Sequence, residues 1–440
     1  MNKKIFLVLI FALITRIIYF VYDPSIWWDA AVYLSMGKFI FSSGALGFWE
    51  PIRPLFWPFV LGYGWWIGIN PIIWGHIFST LFSLGIIYLV YLIGKKIYNE
   101  EVGLLSSILI SFTWIFFFFN ARLYTEIPAV FFMLLGFYCY LNERNILTGL
   151  FLGLAVMSKF PAGLLFLLLF LFSIKNIKKL LDLSFGFSIF IVPYLAFNYF
   201  YYGNPFSIIL FAQEFLQHAG IWIFKEPWWY YLWEILKQNV LYLFAMFGIY
   251  FAIRKKEYLL TTIVISFLFY FSFMAHKEIR FAILFLPFLA ILAALGFLRT
   301  LKIKNSFMII TILIFIVSWN VPQITEHNYF HFFEDQELQG ELLIVHPLVG
   351  YNAEKATLMY YPWFNSTQAE YWLDYIQKNP VEFVALDNCE GGFLCNPSDN
   401  ECENKKAEIY SFLEANFEKV LDEKQGICEY KIYKNIMLYQ

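Results

Sequence analysis

Charge is scarce in this sequence. Of its 440 residues 15% are Asp, Glu, Lys or Arg, while 60% are hydrophobic and 22% aromatic. Soluble domains carry about 25% charge and about 45–50% apolar residues, so a soluble globular chain is excluded and a polytopic membrane protein remains. Cysteine is nearly absent from the apolar part. Cys139 alone lies there, and Cys389, Cys395, Cys402 and Cys428 cluster in a polar tail. No CxxC pair occurs, which argues against zinc. The four tail cysteines fit two disulfides, in any of three connectivities, and an oxidising compartment. There is no long basic run and no nucleic-acid motif, so nucleic acid is not an expected partner. No small-x-small cleavage site follows the apolar run 5–22, which is therefore expected to stay as a first span behind the basic "MNKK". Repeats and low-complexity linkers are absent too.

What is present is a series of apolar runs of roughly 20 residues, each able to cross a bilayer as a helix. They fall at 5–22, 72–93, 103–119 and 127–141, then in a long run, 147–174, broken by "SKFP", and later at 183–202 and 307–320, with three more between. The long run reads as two short spans meeting at Lys159; one kinked helix with a buried lysine is the alternative and would reverse every later crossing. With two spans there, Lys95/Lys96, "KNIKK", "RKKE" and Arg299/Lys302/Lys304 all fall on the side of the N-terminus, which the positive-inside rule makes cytoplasmic. The expectation is an all-α polytopic membrane domain over 1–320 with about eleven spans, and a small extracytoplasmic α/β domain over 321–440. In that domain "ELLIVHPL" and "VEFVALD" read as buried strands, 368–377 and 405–416 as helices, and "GICEYKIYKNIMLY" as a closing hairpin. Asn365-Ser366-Thr367 is a sequon, usable only outside.

The first external loop, 23–71, is too polar for mid-bilayer and unusually aromatic. It opens "DPSIWWDAAVYLSMGKFIFSSGALGFWEPIRPLFWP". Residues 29–41 read as an amphipathic surface helix and 55–69 as a surface or re-entrant piece. Asp29 and Tyr33 are i, i+4 and share a helix face; Glu50 and Arg53 follow. Three further polar groups adjoin outer span ends: Arg122/Glu126 in "NARLYTEIPA", Lys159, and "HKEIR" with His276, Lys277, Glu278 and Arg280. Each has two readings. Asp29 is a base for a hydroxyl proton or an acid at a helix N-terminus. Glu126 is a second acid or part of a helix start. Lys159 is a counter-charge for phosphate or a snorkelling lysine. "HKEIR" is an anion site, since Arg grips phosphate bidentately and Lys adds a point charge, or a basic loop with Glu278 as partner. Trp222, Trp228 and Trp229 suit interface anchors or a lipid or sugar contact. His76 and His218 are isolated. His327 and His331 have helical metal-ligand spacing without a third ligand.

On these residues the chain resembles the GT-C glycosyltransferases, multispan enzymes that use polyprenyl-phosphate sugars. "DAAVY" (29–33) is similar to the D-x-x-x-Y stretch of the protein-mannosyltransferase and aminoarabinose-transferase branch, and "TEIP" (125–128) to its second acidic motif. "HKEIRF" (276–281) resembles the H-K-E-x-R-F signature of the dolichyl-phosphate-mannose enzymes that extend lipid-linked oligosaccharides and GPI anchors. "GFWEPIRPLFWP" (47–58) resembles their W-E-x…I-R-S…P stretch. The likeness runs over about residues 5–298. Those enzymes usually carry two adjacent acids in the first loop; here Ala30 follows Asp29.

The resemblance implies a GT-C fold and a membrane hexosyltransferase. It would move mannose from a dolichyl- or other polyprenyl-phosphate carrier, with inversion, to a hydroxyl of a lipid-linked glycan, glycolipid or glycoprotein. Asp29 would be the base, with Glu126 helping. His276, Lys277, Arg280, Lys159 and Arg53 would bind the donor phosphate, and Tyr33, Glu50 and Glu278 would position substrate. No cofactor or divalent metal is required by this reading. The expected location is a prokaryotic plasma membrane, or the ER membrane in a eukaryote, with the C-terminus extracytoplasmic. The rival readings are a lipid-linked-sugar transporter, with polar groups at the bilayer midplane, and a metal-dependent oligosaccharyltransferase-like enzyme.

Overall fold

The computed structural model describes residues 3–23, 25–218, 224–301, 304–322, 327–336, 338–353, 357–359, 363–389 and 394–436. Trp222 and Lys302 lie outside them.

A backbone surrounded by lipid must satisfy its own hydrogen bonds, and a helix does so within one segment. Each apolar run is helical here. Lys3–Tyr22, Pro71–Ile97 and Ile177–Tyr202 are long and apolar enough to cross a membrane. Glu100–Ser111 and Trp114–Asn120 form a fourth candidate, bent by 61°. Glu126–Leu141, Asn145–Ser158, Phe160–Phe172, Val240–Arg254, Tyr258–Phe273, Leu286–Thr300 and Asn305–Ser318 are shorter apolar helices. The protein is thus a largely helical membrane protein. Of about eleven expected spans, three helices, or four with the bent pair, reach spanning length among the described residues.

The chain reverses at Lys159. Gly149 packs against the backbone of Leu183 and Phe187, and Gly153 against Phe187 and Phe190, so Asn145–Ser158 and Ile177–Tyr202 run parallel. Gly149 leaves no room there for a Cβ, which is how these two helices come so close. Phe166 stacks on Phe187 at 3.7 Å and Phe160 lies 6.1 Å from Tyr194, so the segment after Lys159 runs antiparallel to that same helix. Lys159 itself is extended. Two segments meeting at Lys159, rather than one kinked helix, is the arrangement found.

Among the described residues the tail holds seven strands: β1 (Glu341–Ile344), β2 (Thr357–Met359), β3 (Trp363–Phe364), β4 (Val381–Asp387), β5 (Leu394–Cys395), β6 (Phe417–Gln425) and β7 (Cys428–Asn435). Five form one sheet in the order β2-β1-β4-β7-β6, while β3 pairs with β5. β2, β1 and β4 are parallel; β4, β7 and β6 are antiparallel. Side chains alternate across a strand. Leu343, Val345, Val384 and Leu386 therefore face the helices Ser366–Lys378 and Cys402–Asn416, with Trp372 and Leu413 in that core. Leu342, Ile344, Phe383 and Ala385 face the other way. The closing hairpin turns at Gly426, so its first strand, Phe417–Gln425, precedes the stretch expected to hold it. The disulfides are Cys389–Cys428 and Cys395–Cys402.

The first loop departs from expectation. Its helix, Trp28–Phe41, is not a surface helix: Asp29 through Gly37 are all buried. Ala30, Tyr33 and Leu34 pack into the membrane-domain core, while Val32 and Met36 pack into the sheet's. With apolar residues on both sides, the helix has two walls and no solvent face.

Candidate active site

Asp29 lies in the first turn of Trp28–Phe41, and no side chain caps that turn. It is spent on ion pairs instead. Arg53 Nη2 reaches its Oδ1 at 3.0 Å, and Arg280 Nη1 donates to its Oδ2. Arg53 Nε also donates to Glu50 Oε1 at 2.6 Å. Glu126 opens Glu126–Leu141 with a fully buried side chain. Its Oε1 accepts from Lys159 Nζ at 2.6 Å and lies 3.7 Å from Arg280 Nε. The reversal at Lys159 is what aims that lysine inward.

Arg280 is the hub. Besides Asp29 and Glu126 it donates from Nη2 to Glu278 Oε1, which is 2.7 Å from His276 Nε2. The "HKEIR" segment is not an α-helix: Glu278 is extended and a 3-10 turn starts at Ile279. His276 and Arg280 therefore meet through Glu278 rather than as i, i+4 neighbours. Lys277 is 8% exposed and makes no ion pair among the described residues; its backbone N–H donates to Phe224 O at 3.1 Å. Aromatic rings floor the cluster. Arg280 lies 4.8 Å over Tyr124 and 5.5 Å over Phe281, Lys159 lies 4.9 Å over Phe281, and Arg53 lies 5.6 Å over Tyr33. Such contacts favour a desolvated cation. Tyr33 OH is 3.4 Å from Thr125 Oγ1, which ties the loop helix to the Glu126 turn.

Burial opposes charge here and the cations overcome it. Desolvation would raise the Asp29 carboxyl, but Arg280, Arg53 and Lys159 hold it well below the usual carboxylate range. Glu278 is likewise opposed by burial and held at about 2 by Arg280 and His276. Burial lowers Lys159, with Glu126 pulling the other way. Among the described side chains joined by Arg280 and Lys159, Glu126 Oε2 and Arg280 Nε are buried atoms without a hydrogen-bond partner. Left unsatisfied, each costs about 1–3 kcal/mol or more.

All ten candidates from the sequence thus lie in or beside one cluster, drawn from segments far apart in the chain. Arg122 does not. It is fully buried, pairs with Asp23, donates to Ser25 Oγ at 2.8 Å and sits 4.2 Å over Phe118. Tyr124, Thr125, Phe281 and Phe224 were missed, although Thr125 and Phe281 adjoin a candidate in sequence. His327 and His331 pair separately with Glu423 and Glu334, at 3.8 and 2.6 Å, and share no site. Trp228 and Trp229 are 61% and 48% exposed, as interface anchors would be.

A family model described as dolichyl-phosphate-mannose-protein mannosyltransferase matches residues 53–197. No curated protein sequence matches. Among solved structures, ArnT from Cupriavidus metallidurans bound to undecaprenyl phosphate is similar, with TM-score 0.68 and 11% identity, covering 98% of this chain and 97% of that one. The archaeal oligosaccharyltransferase AglB from Archaeoglobus fulgidus, in complex with an inhibitory peptide and a dolichol-phosphate, gives 0.60 and 11%, covering 87% and 69%. The arabinofuranosyltransferase AftD from Mycobacteria gives 0.57 and 11%, covering 99% and 40%. The resemblance to GT-C glycosyltransferases is borne out: the chain has their fold.

Proposed function

We propose that this protein is an inverting membrane glycosyltransferase. It transfers a hexose, mannose, from a polyprenyl- or dolichyl-phosphate carrier to a hydroxyl of a lipid-linked glycan, glycolipid or glycoprotein on the extracytoplasmic face. The observation that carries this reading is Arg280 bridging Asp29, Glu126 and Glu278, with Arg53 and Lys159 on the same acids. Fold and family description support the donor class. They do not choose the acceptor.

The acceptor oxygen attacks the anomeric carbon as the bond from that carbon to the phosphate oxygen breaks. The hydroxyl proton passes to Asp29, and the carrier leaves as a phosphate monoester with one more negative charge. Asp29 is always ionised, which readies it, and tightly paired, which makes it a weak base. A phosphate at Arg280 and Arg53 would share their charge, loosen their hold and raise its basicity. Lys277 and Lys159 add positive charge where the leaving group develops. Glu126 Oε2 is an acceptor for the incoming hydroxyl. The chemistry asked of these residues is complete without a metal or cofactor. An apolar groove of about 690 Å³ starts at Phe160 and Pro161, beside Lys159, and suits an isoprenoid tail.

The test is transfer by the purified full chain from radiolabelled polyprenyl-phosphate mannose to a membrane glycolipid extract, read by mass spectrometry. Asp29→Asn should lower turnover roughly 10²–10⁴-fold while binding of the donor persists. Undiminished turnover in Asp29→Asn rejects the base. No transfer by the wild type from any lipid-phosphate sugar rejects the reading as a whole.

A further inference from the structure

One face of the five-stranded sheet is covered by the helices Ser366–Lys378 and Cys402–Asn416. The other is covered by residues 328–333 and the helix Pro347–Asn352, and the helix that carries Asp29 packs on Pro347–Asn352. Val32, Met36 and Phe48 share that core with Val349, Leu342, Ile344, Phe383, Ala385 and Ile432. Covered on both faces, every residue of "VEFVALD" is buried. Polar ties fix the angle of the contact. Lys38 Nζ donates to Tyr351 O at 2.8 Å and lies 4.4 Å over the Tyr351 ring. Trp28, the neighbour of Asp29, sits edge-on to His346 at 4.8 Å. Burial lowers His346 to about 3, so this ring stays neutral and the contact does not switch with pH.

We propose that the C-terminal domain is a positioning part of the active site: its helix Pro347–Asn352, seated on the sheet, clamps the outer side of Trp28–Phe41 and sets where Asp29 and Tyr33 stand against Arg280 and Glu126, with Trp28, Lys38, His346 and Tyr351 as positioning residues. The inference rests on the transferase reading. A helix of this length is marginal alone and holds its place through packing on its faces. Without Pro347–Asn352 and the sheet behind it, Val32, Met36 and Phe48 would lose their apolar cover. Rotation is the sensitive coordinate. A carboxylate about 6 Å from the helix axis moves about 2 Å for a turn of about 20°. A misplacement of about 1 Å can cost about 10²-fold in rate. The donor-phosphate cations Arg280, Lys277 and Lys159 lie on other segments, so a loosened clamp separates turnover from donor affinity.

The test compares Lys38→Ala, Tyr351→Ala, the double variant and Lys38→Arg in full-length protein. Turnover should fall at least about tenfold in each alanine variant, with KM for polyprenyl-phosphate mannose within about twofold. The double variant should be no worse than Lys38→Ala, because the ring contact that Tyr351→Ala removes is already lost with Lys38, while the Tyr351 carbonyl acceptor survives Tyr351→Ala, and Lys38→Arg should recover most of the rate. Hydrogen exchange of amides 29–37 should quicken about tenfold, leaving Pro71–Ile97 unchanged. Faster exchange with unaltered turnover, or turnover and donor affinity falling together with loss of folded protein, overturns the positioning role. If the wild type transfers no sugar, the transferase reading fails, and unchanged exchange in the alanine variants then overturns the clamp by itself.

Discussion

Asp29 and Arg122 show what single residues disclose. Both looked like external charges beside membrane. Asp29 is gripped by two guanidiniums, and Arg122 is a buried partner of Asp23, whose N–H donates to Tyr19 O at the end of Lys3–Tyr22. Chain spacing carries no information on that choice. Arg122→Ala strands Asp23 as a buried, unpaired acid, and should cost roughly 3–5 kcal/mol, seen as a lower midpoint of thermal unfolding in detergent. The site's own charges set a pH profile. The ion pairs of Asp29 and Glu278, both held below ordinary carboxylates, contribute stability above the ordinary carboxylate range and lose it as pH falls through the folded values, about 2 for Glu278. In kcat/KM, which reports the free enzyme, transfer should therefore show no acid limb above about pH 4. In Arg280→Gln, whose residual rate is measured the same way, that limb should move up, because Asp29 has lost its chief counter-charge. Lys159, lowered by burial, gives up its charge and its pair with Glu126 as pH rises, before an ordinary lysine would. Lys159→Arg should push the alkaline limb upward.

Elements were more legible than their surroundings. Apolar runs gave the helices, alternation and β-branched residues gave β1 and β4, and the two acids of the site sit at helix starts where "WWD" and "TEIP" suggested them. Three things were out of reach. The first was which side of an element is covered: 29–41 read as amphipathic because the tail segment that buries its outer side, Pro347–Asn352 on the sheet, lies about three hundred residues downstream. The second was short irregular backbone, as in "HKEIR", where the ion pairs of Glu278 override helical spacing. The third was cysteine pairing, open until the sheet brought the end of β4 to the start of β7. That pairing has an energetic consequence. Cys389–Cys428 closes a loop with sequence separation 39, and its loss by Cys389→Ser should destabilise the tail by about 4 kcal/mol on the chain-entropy argument. Cys389 shares the core with Val32 and Met36. The same variant should thus lower transfer, and reductant should lower it more in the wild type than in Cys389→Ser, where only the short-loop Cys395–Cys402 is left to reduce. Urea unfolding of the purified chain and the transfer assay read the two effects.

At the scale of the molecule, convergence constrains the path through the membrane. Asp29 follows the first apolar segment, Glu126 precedes the fourth, Lys159 joins the fifth to the sixth, Arg280 precedes the tenth, and the sheet follows the last. Ion pairs and a shared core place all five together. Between each and the next, the chain must then cross an even number of times or not at all. The opposite end has its own contacts. Lys96 Nζ donates to Asn142 Oδ1 at 2.9 Å, joining the end of Pro71–Ile97 to the turn after Glu126–Leu141, and Lys179 lies 3.6 Å over Tyr140. Both faces thus fit a chain that reverses at every segment, with the shorter helices crossing where the bundle thins the bilayer or lies within it. The positive-inside rule, applied to Lys95, Lys96 and Lys179 at this opposite end, predicts that the end is cytoplasmic and the site extracytoplasmic. Two exposed positions separate the faces, Lys255 after Val240–Arg254 and Glu370 on the tail helix. In right-side-out vesicles a membrane-impermeant maleimide should label Glu370→Cys at once and Lys255→Cys only after permeabilisation. Equal labelling of both from one side would break the even-crossing rule. The reverse order would keep the path and turn the site to the cytoplasm, where neither the disulfides nor the sequon at Asn365 would serve.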